Sequence, residues 1–144
     1  MTVPRFASGR GPIAAVLTAL VAVTASVTQA QVAPTPAEAR RYTGLHAAAW
    51  TGDAARIRPL VTDGADVNSR DGHGRTPLHV ATFGRQRAAI EALALAGADL
   101  DRLEDDRYDA VTIAAVAGDE DTLRTLLALG ASARQTTSRY DGTA

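Results

Sequence analysis

The stretch Thr76-Pro77-Leu78-His79-Val80-Ala81 has counterparts on both sides at a fixed spacing. Leu45-His46-Ala47-Ala48 precedes the segment 78–81 by a step of 33 in the numbering, and Val111-Thr112-Ile113-Ala114 follows it by the same step. Three Gly-Ala pairs keep this step as well, at Gly64, Gly97 and Gly130. A period of this length indicates a repeat protein, in which each unit packs only on its neighbours.

Each repeat contains two short apolar segments separated by a glycine, as in 43–51, Gly52 and 53–62. Segments of this length are too short to be stable as isolated helices, but antiparallel pairs that stack on neighbours can bury their apolar faces. The sequence therefore predicts an all-α solenoid of stacked antiparallel helix pairs joined by short hairpin turns. Pro59 departs from the pattern, since we expect it to bend the second helix or remove a hydrogen bond.

The period, together with the match of 76–81 to the pattern T-P-L-H-x-A, resembles the ankyrin repeat family. The resemblance implies about three repeats, at about 42–74, 75–107 and 108–140, with 141–144 as the start of a truncated fourth. Together with the N-terminal segment described next, it indicates an exported, bacterial-type member. Thr112 replaces the signature histidine in the third repeat. Arg85 stands where the other repeats have the glycine that ends the first helix.

Residues 1–30 have the layout of a secretory signal peptide. Arg5 and Arg10 precede the uncharged apolar run 13–25, and small residues precede a cut expected between Ala30 and Gln31. A retained membrane anchor is the alternative, although a run of this length reaches only about 20 Å of a ~30 Å hydrocarbon core. We expect a periplasmic or secreted protein without a stable membrane span after cleavage.

Residues 31–41 follow as a linker and a short N-terminal capping helix. Thr35-Pro36-Ala37-Glu38 has the form of a capping box with proline at the first helical position, which predicts a helix from about Pro36 to Arg41. At the other end, the third repeat is followed by no complete repeat. We therefore expect part of its apolar surface to be uncovered, at Ile113, Leu123, Leu126 and Leu127.

The residues do not form a catalytic or cofactor site that we can identify. Cysteine is absent, and a net charge of −1 excludes a broadly basic nucleic-acid surface. The resemblance implies that His46 and His79 are structural and bond to the neighbouring turn, while His73 should be exposed. Because the acidic run 104–106 lacks a calcium-loop pattern, a solvated turn tip is expected there. We expect no enzyme activity, no cofactor and no metal.

Members of the ankyrin family bind proteins through the hairpin tips and the exposed face of the first helices. The resemblance implies a non-catalytic interaction or scaffold module of the cell envelope; the alternative is a stabilising or inhibitory accessory subunit of an exported enzyme. The candidate partner-binding residues are Trp50, Thr51, Phe83 and Val116 on the first helices, and His73, Arg75, Asp105, Asp106 and Tyr108 at the tips. The three large apolar residues could instead fill gaps between repeats.

Overall fold

The computed structural model describes residues 31–134, and these residues form seven helices. The helices are α1 (Pro36–Ala39), α2 (Gly44–Thr51), α3 (Ala54–Thr62), α4 (Pro77–Phe83), α5 (Arg87–Leu95), α6 (Ala110–Val116) and α7 (Glu120–Ala128). After α1 they form three pairs, one pair per repeat. The expected all-α solenoid of stacked helix pairs is confirmed. The predicted signal peptide 1–30 and the start of the fourth repeat lie outside the described residues.

Local chemistry sets where the first helix of each repeat begins. Thr76 caps α4: its side chain accepts a hydrogen bond from the backbone N–H of His79, and the His79 ring accepts one from the N–H of the cap residue. Pro77 occupies the first turn, where the missing N–H costs nothing. In the third repeat, the Asp109 carboxylate accepts from the backbone N–H of Thr112 instead. An aspartate cap therefore replaces the cap that the signature histidine completes in the second repeat.

The repeats stack in two layers, with α2, α4 and α6 in one and α3, α5 and α7 in the other. The first-helix layer packs closely because its buried side chains are small: Ala48, Ala49, Ala81 and Ala114 are fully buried. Larger residues fill the space between the two layers. The fully or almost fully buried ones are Ile57, Leu78, Ile90, Leu93, Ile113 and Leu126.

A polar link joins successive repeats at the glycine-containing loops. The side chain of Asn68 accepts a hydrogen bond from the backbone N–H of Asp99 at 2.9 Å. One period later, Asp101 accepts from the N–H of Ser132 at 2.7 Å. Because these loops have few backbone partners of their own, each link satisfies an N–H group and fixes the spacing of two repeats.

Two expectations about the helices need correction. Ile113 and Leu126 are fully buried rather than partly uncovered, while Leu127 keeps 41% of its surface exposed. The capping box at Thr35 is confirmed, but α1 ends at Ala39.

Pro59 lies within a continuous α3, so its cost is the missing backbone hydrogen bond to the preceding turn. None of the helices within residues 31–134 is long and apolar enough to cross a membrane.

Candidate partner-binding surface

Trp50, Phe83 and Val116 occupy equivalent positions near the carboxyl ends of α2, α4 and α6. Because these helices stack in one layer, the three side chains form a row, here called the first-helix row. Their exposure differs along the row: Trp50 and Phe83 are half-buried, whereas Val116 is 58% exposed. Trp50 also packs against the hydrophobic core. The row therefore combines a packing role at its first member with free apolar surface at its last.

Contacts between repeats hold the backbone of this row in place. The Gln86 side-chain amide donates to the carbonyl of Trp50 at 3.2 Å. Gly84 permits this approach, since a Cβ atom there would lie 3.3 Å from the same carbonyl oxygen. The exposed Thr51 hydroxyl donates to the carbonyl of Ala47, within its own helix. The row is thus presented on a fixed scaffold.

The two hairpin tips share a construction that the sequence pattern did not reveal to us. The Asp71 carboxylate accepts from the N–H groups of His73 and Arg75, both at 2.9 Å. One period later, Glu104 accepts from Asp106 and Tyr108, both at 3.0 Å. The signal was available, because Asp71 and Glu104 are acids at the same position of successive repeats.

This construction corrects the expectation of a solvated acidic tip. Glu104 is only 7% exposed because its carboxylate closes the turn, and Asp109 is 1% exposed as the cap of α6. Asp105 is exposed, whereas Asp106 and Tyr108 are half-buried. The tips also contact each other, since the N–H of Asp105 donates to the carbonyl of His73 at 3.1 Å. Adjacent tips therefore form one surface.

Arg75 does not lie at an exposed tip, and that expectation is wrong. Its side chain is 1% exposed and makes three bonds: to Asp71 Oδ2 at 2.7 Å, to Glu38 Oε1 at 3.0 Å and to the carbonyl of Val32 at 3.0 Å. A buried guanidinium with three acceptors is part of the protein's own packing. Arg75 therefore ties the N-terminal segment 31–41 to the first tip.

His73, Tyr42 and Glu38 complete this cluster. His73 remains half-exposed, and its Nε2 lies 2.7 Å from Glu38 Oε1. The Tyr42 hydroxyl donates to Asp71 Oδ2 at 2.8 Å. Of the two tip residues expected beside the first turn, only His73 is therefore accessible. Sequence reasoning missed Glu38, Tyr42 and Asp71, which come from two segments that are distant in the sequence.

The electrostatics of the cluster keep its carboxylates ionised. Hydrogen bonds from the Thr35 backbone and side chain, with help from Arg75, lower the pKa of Glu38 to about 2. Burial alone would raise the pKa of Asp71, but hydrogen bonds from Tyr42 and from the Arg75 backbone and guanidinium outweigh it and lower that pKa to about 2. Burial alone would lower the pKa of Arg75, but its hydrogen bond to Asp71 and the surrounding acidic groups raise it.

The two signature histidines are structural in the way the resemblance implied. Nδ1 of His79 accepts from the N–H of Thr76 at 2.9 Å, and Nε2 lies 2.7 Å from the carbonyl of Arg102. A carbonyl only accepts, so Nε2 carries the proton and the ring is neutral. Burial lowers the pKa of His79 to about 4. His46 likewise places Nε2 2.9 Å from the carbonyl of Arg75. Both rings join a first helix to the following turn.

Within residues 31–134, no group of three or more His, Cys, Asp or Glu side chains is arranged to hold a metal ion.

A family model described as ankyrin repeats (3 copies) matches residues 16–104 and 45–137. The ankyrin repeat domain-containing protein SAT10 of Stachybotrys chartarum is 36% identical over 87 residues, or 60% of this chain and 4% of that protein. The NF-kappa-B inhibitor cactus of Drosophila melanogaster is 47% identical over 55 residues, or 35% of this chain and 11% of that protein. The chain thus spans a small part of these curated relatives.

Solved structures agree with this assignment. The crystal structure of the human ASB11 ankyrin repeat domain superposes with a TM-score of 0.59 at 26% identity, and the match covers 66% of this chain and 43% of that chain. The chain belongs to the ankyrin repeat family.

Proposed function

We propose that this chain is exported and acts in the cell envelope, periplasmic or secreted, as a non-catalytic module that holds another protein. The observation that carries the binding part is the first-helix row: Trp50, Phe83 and Val116 are aligned on one layer, and Val116 keeps 58% of its surface exposed. Aromatic and apolar side chains in such a line supply the anchors on which protein interfaces depend. The hairpin tips, with exposed His73 and Asp105, precede the amino ends of α4 and α6 and supply polar groups for such an interface.

The export part rests on the sequence of residues 1–30 alone. A basic start, an apolar run and small residues before Gln31 support cleavage after Ala30. N-terminal sequencing of the accumulated protein tests it. A first residue of Gln31 in an envelope or secreted fraction is the expected result, whereas a protein that begins at Met1 in the cytoplasm would rule out export by this route.

Affinity capture with a pair of matched variants tests the binding part. The immobilised chain is incubated with an envelope extract, alongside Val116→Glu and Ala88→Glu. Val116 lies on the first-helix layer and Ala88 on an exposed position of α5, so the two variants place the same charge on opposite layers. We expect a protein that binds wild type and Ala88→Glu but is lost from Val116→Glu. Equal recovery by all three would contradict docking on the first-helix row.

A second candidate, an inhibitory accessory subunit, is supported by one relative. The protein named NF-kappa-B inhibitor cactus is 47% identical over the 55 residues it shares with this chain. If this chain acts similarly on an exported enzyme, the captured partner will have an activity that falls when the chain is added. An assay of the partner with and without the chain separates this role from that of a scaffold, which leaves activity unchanged.

A further inference from the structure

The layer of second helices carries a leucine that packing does not explain. Leu95 is the last residue of α5, and 87% of its surface is exposed. It lies between two grooves, one of about 770 Å³ between α3 and α5 and one of about 310 Å³ between α5 and α7. A large apolar side chain beside open apolar grooves is characteristic of an interaction site.

Small side chains line much of the α3–α5 groove. Ala55, Pro59, Ala92 and Ala96 line it, with Val61 and Leu95 at its apolar sides. In the third repeat the position of Leu95 is held by Ala128, and in the first by Thr62. The face therefore presents one projecting leucine and, next to it, a groove with room for such a side chain.

Two unpaired charges of opposite sign lie on the same face. Arg58 of α3 and Glu91 of α5 occupy equivalent positions of successive repeats, and both are exposed. Among the described residues neither forms an ion pair, although Arg87 pairs with Asp121 at 3.5 Å and Arg124 pairs with Glu120. The second-helix face therefore carries a projecting leucine, a groove with room for it, a free cation and a free anion. Such a face is complementary to itself.

We propose that two copies of this chain associate through the second-helix layer, with Leu95 of each copy in the α3–α5 groove of the other. In a two-fold contact every pairing occurs twice, so Arg58 of each copy faces Glu91 of the other. A second copy is the favoured occupant of this face because Arg58 and Glu91 can each pair with the other residue on an identical face. A foreign partner would not require both charges. This site goes beyond the proposed function, since it leaves the first-helix row free on both copies and makes the assembly bivalent.

Sedimentation equilibrium tests the proposal on the chain as purified from the producing cell. Wild type should pass from monomer to dimer with rising concentration. Leu95→Glu should raise the dissociation constant at least about tenfold, since it places a charge in the groove. Ala115→Glu places the same charge on an exposed residue of α6, in the opposite layer, and should leave the constant unchanged. Circular dichroism on each variant shows that the helices are intact.

Charge-reversal variants then test whether a second copy of the chain binds this face. Arg58→Glu and Glu91→Arg should each weaken the dimer, because each leaves two like-charged contacts, and the double variant should regain most of the loss. A wild type that stays monomeric at about 1 mM would overturn the proposal. So would an unchanged constant for Leu95→Glu, or a double variant no tighter than the two single ones; that last result would mean that the face meets a different surface.

Discussion

Arg85 shows how one residue can depart from its repeat at a cost in backbone strain. Its φ is 55°, in the left-handed region, and the equivalent Gly52 and Gly118 have φ of 76° and 64°. A side chain in this region costs about 1–2 kcal/mol through contact of Cβ with the following carbonyl. The Arg85 side chain is 64% exposed and lies 3.9 Å from Asp119, so its ion pair offsets little of that cost.

Replacement of Arg85 by glycine should therefore stabilise the fold by about 0.5–1 kcal/mol, after the greater chain entropy of glycine is subtracted. Urea unfolding followed by circular dichroism measures the change. Gly118→Ala is the matched control and should destabilise, because nothing lies within 4 Å of the added Cβ and only the backbone conformation opposes it. If Arg85→Gly loses stability instead, the arginine's contacts outweigh its strain.

His79 should make stability depend on pH in a defined window. Its pKa is about 4 in the folded protein and 6.5 when unperturbed, so below pH 6.5 the unfolded chain binds a proton that the folded chain refuses. The stability that neutral His79 contributes is fully present above pH 6.5 and is lost as pH falls to about 4. This lowers the free energy of unfolding by roughly 3 kcal/mol.

His79→Gln isolates this effect. The variant should be less stable than wild type at pH 7 by about 1–3 kcal/mol, because buried partners lose their bonds. As pH falls from 6.5 to 4, the two unfolding free energies should converge, since only wild type carries the histidine's proton penalty. Parallel curves across this range would show that the folded ring accepts a proton as readily as the unfolded one.

At the scale of the element, Pro59 weakens α3. It lies inside the helix, removes one backbone hydrogen bond and is exposed at the surface. Alanine at the equivalent position of α5, Ala92, shows that the architecture accepts a small residue there. Pro59→Ala should raise the free energy of unfolding by about 1–3 kcal/mol, as measured by thermal and urea unfolding. An unchanged stability would mean that α3 adapts to the proline without strain.

A buried arginine helps to hold the N-terminal segment against the first tip. Arg75 bonds the carboxylates of Asp71 and Glu38 as well as the carbonyl of Val32. Arg75→Gln should cost about 3–5 kcal/mol, because two acids lose their counter-charge. Hydrogen exchange should also show lost protection in residues 35–42, while α6 and α7 keep theirs. Protection lost evenly over all repeats would contradict a role confined to this end.

Among residues 31–134 the fold was largely predictable, because the sequence pattern repeats. The period of 33 and the pattern at 76–81 define the helix pairs, their layers and the two structural histidines. Burial of Arg75 was not predictable, since it depends on Glu38 and Asp71 from segments whose approach only the folded chain defines. The unequal exposure along the row was not predictable either: Trp50 and Val116 hold the same repeat position, yet Trp50 is half-buried against the core and Val116 is 58% exposed.

The molecule as a whole thus offers two opposite faces. The first-helix row and the tips form one, and the second-helix layer with Leu95 forms the other. Solenoids present such continuous faces because each repeat adds the same surface at the same angle. A partner on one face and a second copy on the other would not compete.

The central claim is that the first-helix row binds a protein partner rather than only filling the stack. The direct test is to measure, on the same purified variants, the dissociation constant for the captured partner and the free energy of unfolding. Phe83→Ala and Val116→Glu should each raise the dissociation constant at least about tenfold. Val116→Glu should leave stability nearly unchanged, since 58% of that side chain is already exposed. A rise in dissociation constant that lost stability fully explains, or no rise at all, would contradict the account.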